Sequence, residues 1–284
     1  MCATCGCDDP AGTRVSVVHD HPGHDGHSGH DGAAAHAHPR QHHHPDHAHD
    51  APTTPAEPPD RRRTIEIERN VLDRNDALAQ GNRRWLAQRR IIALNMMSSP
   101  GSGKTTLLQR TIGELQGGRP VAVIEGDQET RLDAERIRST GVPVVQINTG
   151  AGCHLDADML RRGLEALEPA DDSVVFVENV GNLVCPALFD LGETARVVVI
   201  SVTEGDDKPL KYPHMFAAAD LLIVNKTDLL PYVEFAVARC VANARAVNPG
   251  LDVLPMSVTT GEGMSEWTRW LGAQCHPGPP YGGR

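Results

Sequence analysis

A loop of small residues, Ser98-Ser99-Pro100-Gly101-Ser102-Gly103, runs into Lys104-Thr105-Thr106. An apolar run, Ile91–Met97, precedes it, and the helix-compatible Leu107-Leu108-Gln109-Arg110 follows. Strand, small-residue loop and helix together let backbone N–H groups curl around phosphate oxygens, with the helix start adding partial positive charge. Gly101, Ser102 and Gly103 would form the cradle and Lys104 would reach the β- and γ-phosphates. The Thr105 hydroxyl would ligate Mg²⁺, with Thr106 opening the helix beside it. Ser98 is a departure, because the usual spacing has glycine there.

Three further stretches follow apolar runs. Leu221–Val224 ends in Asn225-Lys226-Thr227-Asp228. A carboxylate only accepts hydrogen bonds, and guanine offers it two adjacent donors where adenine offers an acceptor, so Asp228 argues for GTP over ATP. Asn225 and Lys226 are grouped with it as nucleotide-binding candidates, and Ser257–Gly261 fits a loop backing the base. Val174–Val177 leads to Glu178-Asn179-Val180-Gly181, and Val121–Ile124 leads to Glu125-Gly126-Asp127-Gln128. Glu178 and Asp127 are candidates for holding Mg²⁺ and orienting the attacking water, with the two roles undivided between them.

Metal-ligand residue types gather in two places. Cys2, Cys5 and Cys7 form C-x-x-C-x-C against the chain's own amino terminus, a three-sulfur, one-nitrogen donor set suited to planar Ni²⁺ and also to tetrahedral Zn²⁺. Cys153-His154 and Cys185 follow separate strand-like runs and should open on the nucleotide edge. Residue type alone leaves them between a metal site and small buried side chains. Cys240 and Cys275 have no such company and read as structural.

The elements that must position these groups form a mostly parallel sheet. Apolar runs at 91–97, 121–125, 142–147, 174–178, 197–202, 221–225 and 251–256 read as buried strands. Helix-like stretches at 105–116, 130–139, 156–167, 208–219 and 233–247 lie between them, so helices should cover both faces and ligands should sit outside the strand carboxyl ends. A helix from Asn70, with Val71, Leu78 and Trp85 and also Leu72, Ala79 and Leu86 at seven-residue spacing, should pack on this domain. The expected organisation is an extension over 1–60, a helix over 61–90, the nucleotide domain over 91–273 and a flexible tail over 274–284.

Composition sets the extension apart. Twelve of the fifteen histidines fall between His19 and His49, among Asp, Gly, Ala and Pro, and a Pro-rich spacer follows. Such a stretch cannot bury enough apolar surface to order itself, so disorder is expected. Its imidazoles suit moderate-affinity storage of Ni²⁺, Zn²⁺ or Cu²⁺. The formal charge of −10 argues against nucleic acid and anionic membrane as partners. No apolar run reaches the roughly 18 residues of a membrane helix, and no apolar signal core opens the chain, so a cytoplasmic protein is expected.

Taken together, SSPGSGKTTLL, EGDQETRLDAERI, GAGCHLDA, ENVGNLVCP, DKPLKYP, VNKTDLLP and the Cys-rich start resemble the hydrogenase nickel-incorporation GTPase family (HypB) over essentially the whole chain. The resemblance implies an α/β P-loop NTPase, preceded by a disordered metal-binding extension, that hydrolyses GTP with Mg²⁺. It implies a nickel site at Cys2, Cys5 and Cys7 and a second Ni²⁺/Zn²⁺ site at Cys153, His154 and Cys185 near the interface of a homodimer promoted by GTP and metal. Lys208 and Lys211 match that family's lysine loop and would contact nucleotide across the dimer. Implied partners are a small nickel/zinc chaperone (HypA) and the [NiFe]-hydrogenase large subunit. The alternatives are a nickel store, a metallochaperone GTPase for another nickel enzyme such as urease and, more weakly, a phosphotransferase.

Overall fold

A computed structural model describes residues 14–17, 61–127, 132–150 and 152–275. The apolar runs form a single sheet. Its strands are β1 (Arg14–Val17), β2 (Ile92–Ser98), β3 (Val121–Asp127), β4 (Val144–Asn148), β5 (Val174–Glu178), β6 (Ala195–Ser201), β7 (Leu221–Asn225) and β8 (Asp252–Pro255). In space they run β1-β4-β3-β5-β2-β6-β7-β8. All pairs are parallel except β1 with β4, which is antiparallel. The continuous apolar character of β2, β5 and β7 follows from burial on both faces.

Successive side chains of a strand point to opposite faces, and the core divides accordingly. Ile92, Leu94 and Met96 pack with α2 (Lys104–Glu114), α3 (Leu132–Arg138) and α8 (Met264–Gln274), whose Trp267 is fully buried. Their neighbours Ala93 and Met97 face the other layer. There α1 (Arg61–Gln88) and α4 (Ala157–Leu167) cover one half, and α6 (Pro213–Ala217) and α7 (Val237–Val247) the other. A short α5 (Lys208–Lys211) precedes α6.

Several boundaries differ from expectation. The stretch expected as one helix over 208–219 breaks at Tyr212, because Pro213 has no N–H to donate into the preceding turn. The helix expected over 233–247 starts at Val237, after a 3-10 turn at Thr227–Tyr232. Helix α1 spans Arg61–Gln88 and so includes nine residues ahead of the seven-residue apolar spacing read from Asn70. Within the extension expected to lack structure, Arg14–Val17 adds a strand to the open edge of β4, pairing Arg14 with Asn148 and Val15 with Ile147. Cys2, Cys5, Cys7, the twelve clustered histidines and residues 276–284 lie outside the described residues. No helix among the described residues is long and apolar enough to cross a membrane.

Candidate nucleotide and metal sites

The carboxyl ends of β2, β3, β5 and β7 converge on one cleft of about 450 Å³. Ser98 through Thr106 form its floor, with Glu125, Gly126, Asp127, Arg136, Glu178, Asn179, Gly181 and Lys226 around it. The loop closes tightly because Gly103 adopts a left-handed φ of 96° before α2 begins. A Cβ at that position would also stand 2.5 Å from the Asn225 amide nitrogen. Glycine is therefore required twice there, for its backbone angle and for its lack of a side chain.

Asn225 and Lys226 hold this loop from behind. Asn225 Nδ2 donates to the Ser102 carbonyl at 2.8 Å, and Lys226 Nζ donates to the Gly101 carbonyl at 2.7 Å. Asp228 lies beyond them and accepts from Ser257 Oγ at 2.5 Å. The 257–261 loop is itself pinned by Arg110, which donates to the Val258 carbonyl. The Asn-Lys-Thr-Asp stretch thus fixes the phosphate loop at one end and presents a positioned carboxylate at the other.

Glu178 closes β5 under the loop. Its Oε1 accepts from Lys104 Nζ at 2.9 Å and from Thr105 Oγ1 at 2.7 Å. The residue is 2% exposed, and its Oε2 is buried with no hydrogen-bond partner. A buried carboxylate oxygen without a donor, beside a threonine hydroxyl, is an all-oxygen arrangement that fits a hard divalent cation such as Mg²⁺. Asp127 lines the same cleft from the end of β3. Glu125, which the sequence reading did not single out, is equally buried and is the register partner of Glu178 on the adjacent strand. An acid inside an otherwise apolar strand was its available signal. Arg136 from α3 was also missed, and it donates to Gln109 Oε1 at 2.8 Å on the cleft rim.

The two lysines of the 208–211 turn separate. Lys208 reaches the phosphate loop and donates to Ser99 Oγ at 3.1 Å while pairing with Glu204 at 3.0 Å. Lys211 points away within this chain, pairing with Asp207 at 2.7 Å on the surface.

The second cluster forms on the same edge. Cys153 and His154 follow β4, and Cys185 opens a 3-10 turn at Cys185–Leu188 after β5. Their ligand atoms lie within 4.8 Å of one another. His154 stacks on Phe189 at 4.0 Å between centroids, which fixes the ring plane. Burial pushes the imidazole below its ordinary range, with Asp156 opposing that shift, and this direction favours the neutral, ligating form of the ring. Two thiol sulfurs and one imidazole make a donor set for Ni²⁺ or Zn²⁺ rather than for Mg²⁺.

Residues 92–255 match the family model for the CobW/HypB/UreG nucleotide-binding domain. The chain belongs to that family. Among relatives, the hydrogenase maturation factor HypB of Escherichia coli K12 is 55% identical over 228 residues, covering 80% of this chain and 79% of that protein. The HypB crystal structure from Archaeoglobus fulgidus superposes with a TM-score of 0.68 at 40% identity, covering 72% of this chain and all of that one. A HypB structure from Helicobacter pylori in complex with nickel gives a TM-score of 0.66 at 36% identity, covering 71% of this chain and 95% of that one. The matched region contains the phosphate loop, both strand-end acids, Asp228 and the Cys153/His154/Cys185 cluster, so both clusters described above lie within the residues that match.

Proposed function

We propose that this chain is a GTP-hydrolysing nickel metallochaperone that helps to insert Ni²⁺ into the [NiFe]-hydrogenase large subunit. One observation carries the reading. The segment from Glu178 to Cys185 contributes the buried carboxylate beneath the phosphate loop and also a thiol of the Cys/His cluster. The names of the relatives, hydrogenase maturation factors, support the same assignment.

In this reading the loop N–H groups and Lys104 hold the β- and γ-phosphates, and Asp228 accepts from the guanine ring N–H and exocyclic amine. Thr105 and Glu178 would hold Mg²⁺, which would supply positive charge to offset the negative charge on the phosphate oxygens. Asp127 orients a water and takes its proton as the oxygen attacks the γ-phosphorus. The bond to the bridging oxygen then breaks, giving GDP and phosphate. Nickel is the cargo, held by Cys2, Cys5 and Cys7 and, as Ni²⁺ or Zn²⁺, by Cys153, His154 and Cys185. GTP changes the second site's grip on metal because the two sites share a loop, and coupling of this kind requires different metal affinity in the GTP and GDP states. Two chains associate around nucleotide with Lys211 reaching across. A small nickel/zinc chaperone of the HypA type exchanges metal with the pair, and the whole process is cytoplasmic.

Two measurements test this. Purified chain should release phosphate from GTP but not from ATP, in proportion to Mg²⁺. The gene should also restore nickel-dependent hydrogenase activity to cells lacking their own maturation factor. Hydrolysis of both nucleotides alike, or failure to restore hydrogenase, would reject it. The histidine-rich stretch favours a second role in nickel storage, which predicts that removing residues 8–60 matters only when nickel is scarce.

A further inference from the structure

Asn179 is an amide in the middle of the protein, 1% exposed, one residue beyond the end of β5. Every part of it is engaged. Its carbonyl accepts from Lys104 Nζ at 2.8 Å, and its N–H donates to the Met96 carbonyl at 3.0 Å. Its side-chain Oδ1 accepts two backbone N–H groups, from Leu155 at 3.1 Å and Val180 at 3.0 Å. Its Nδ2 donates to Asn95 Oδ1 at 3.2 Å, and Asn95 Nδ2 donates in turn to Glu193 at 3.2 Å. Two N–H groups facing one atom fix the amide orientation, since only oxygen can accept from both.

Leu155 is the residue after His154 and before Asp156, which caps α4 by accepting from Met159 N. It has no exposed surface, and its side chain lies against Gly126, where a Cβ would come within 2.7 Å of it. Leu155 is therefore gripped twice: its N–H by Asn179, and its side chain by the glycine between Glu125 and Asp127. On the other side of the cluster, Asn182 donates to the Cys153 carbonyl at 3.4 Å.

We infer that Asn179 is the positioning residue that transmits nucleotide state to the metal loop, through its carbonyl on Lys104 and its amide on Leu155. This deepens the proposed GTP-dependent grip on metal and rests on that reading. The γ-phosphate, which GDP lacks, adds to the pull of the β-phosphate on Lys104 Nζ, so a triphosphate draws this donor further from the Asn179 carbonyl than a diphosphate does. The strand end is then free to shift, and the Oδ1 bond moves Leu155 N, together with His154 and Cys153 just before it. An apolar side chain at 179 would fill the core equally well but could not hold Leu155 N–H, and a buried polar group is retained only when fully bonded.

The test uses the full chain carrying C2S, C5S and C7S, so that thiolate-to-nickel charge-transfer absorption reports the Cys153/Cys185 site and not the amino-terminal thiols or the imidazoles. Nickel is titrated at saturating GDP and at a saturating non-hydrolysable GTP analogue. The expected ratio of apparent Kd values between the two states is at least about fivefold. Asn179→Ala should bring it to within about twofold of unity. Asn95→Ala disturbs the same buried amide pair without touching the Leu155 bond, and should keep the ratio.

A wild-type ratio in the Asn179→Ala chain would overturn the inference. Equal loss in both variants would also overturn it, since that marks a merely structural role. A ratio near one in the parent chain would reject the switch itself, and Asn179 with it. Amide exchange at Leu155 in the unvaried chain provides a reading that needs no variant to fold. Its protection should differ between the two nucleotide states, and identical protection would overturn the proposal.

Discussion

Glu125 and Glu178 face each other across adjacent parallel strands, in register, both 2% exposed and both lining the phosphate cleft. Neighbouring strands lie about 4.8 Å apart, so two carboxylates at this spacing repel unless positive charge sits between or above them. Lys104 supplies some of it, through its 2.9 Å bond to Glu178. A divalent cation would supply more, and the pair is therefore expected to set the Mg²⁺ dependence of hydrolysis.

Glu178→Gln tests that expectation while keeping shape, since the amide oxygen still accepts from Thr105 and Lys104. It should lower kcat for GTP about 10²-fold and raise the Mg²⁺ concentration needed for half-maximal rate. Glu125→Gln should act in the same direction and more weakly, about tenfold, because Glu178 rather than Glu125 receives the Thr105 and Lys104 bonds. Phosphate release measured across a Mg²⁺ series distinguishes the two. A Glu178→Gln chain with an unchanged Mg²⁺ profile would remove Glu178 from the metal.

Asp228 is held by Ser257, and the carboxylate is thereby aimed before any base arrives. Asp228→Asn replaces one acceptor edge with a donor, which opposes guanine's exocyclic amine and suits the carbonyl that xanthine carries there, while the remaining amide oxygen still accepts from the ring N–H. Losing one charge-assisted bond and the charge on the other costs about 3 kcal/mol, so GTP affinity should fall about 10²-fold while XTP affinity rises. Competition binding with GTP, ATP and XTP checks this. A variant that still prefers GTP over XTP would show that the base is read elsewhere.

Much of this site is legible in the sequence because its signals are local. The phosphate loop, Asn225 to Asp228, and Cys153-His154 are each short strings following apolar runs, and the parallel sheet brings strand ends together without further information. What stays hidden depends on contacts between distant segments. Asn179 is bonded to Asn95 and Leu155, which are 84 and 24 positions away. Asn75 and Asn82 lie on the buried face of α1, where a reading by hydrophobic period looks for Val71 and Leu78. Val71 proves 40% exposed, while Asn75 and Asn82 are 5% and 3% exposed. Strand β1 is short and set in low-complexity sequence, so only the open edge of β4 reveals it. Which lysine of the 208–211 turn meets the phosphate loop depends on how the turn is seated by Asp206, which bonds Ala236 N and Arg239 on α7.

His154 gives the fold a pH dependence. Burial lowers its pKa from the ordinary 6.5, and Asp156 offsets this only in part. The unfolded chain takes up a proton near pH 6.5 that the folded chain binds less readily. This term is therefore absent above that pH, and it costs stability as pH falls from 6.5 through the lower folded value. With a chelator present, denaturant unfolding at pH 7.5, 6.5 and 5.5 should show a decline, to which His154 contributes at most about 1.4 kcal/mol per pH unit. His154→Gln should flatten that slope whatever it does to absolute stability. An unchanged slope would show that some other group is responsible.

Helix α1 is attached to the domain by buried amides as well as by Leu86, which packs in the core. Asn82 Nδ2 donates to the Ala157 carbonyl at 2.8 Å and to the Leu191 carbonyl at 2.9 Å, both buried. Asn75 adds bonds to Ala157 N and the Asp190 carbonyl. Gly192 lets the helix come this close, because a Cβ there would run into the Ala79 carbonyl and Asn82. Beside this lies an ion pair, Arg83 with Asp190 at 2.9 Å, whose side chains are 49% and 29% exposed. Surface pairs contribute less than about 1 kcal/mol, whereas leaving two buried carbonyls short of a donor costs about 2 kcal/mol. Asn82→Ala should therefore lower Tm by roughly 4–8 °C, and Arg83→Ala by much less. Thermal unfolding of the two variants side by side decides the matter, and equal shifts would assign the docking of α1 to charge rather than to buried amides.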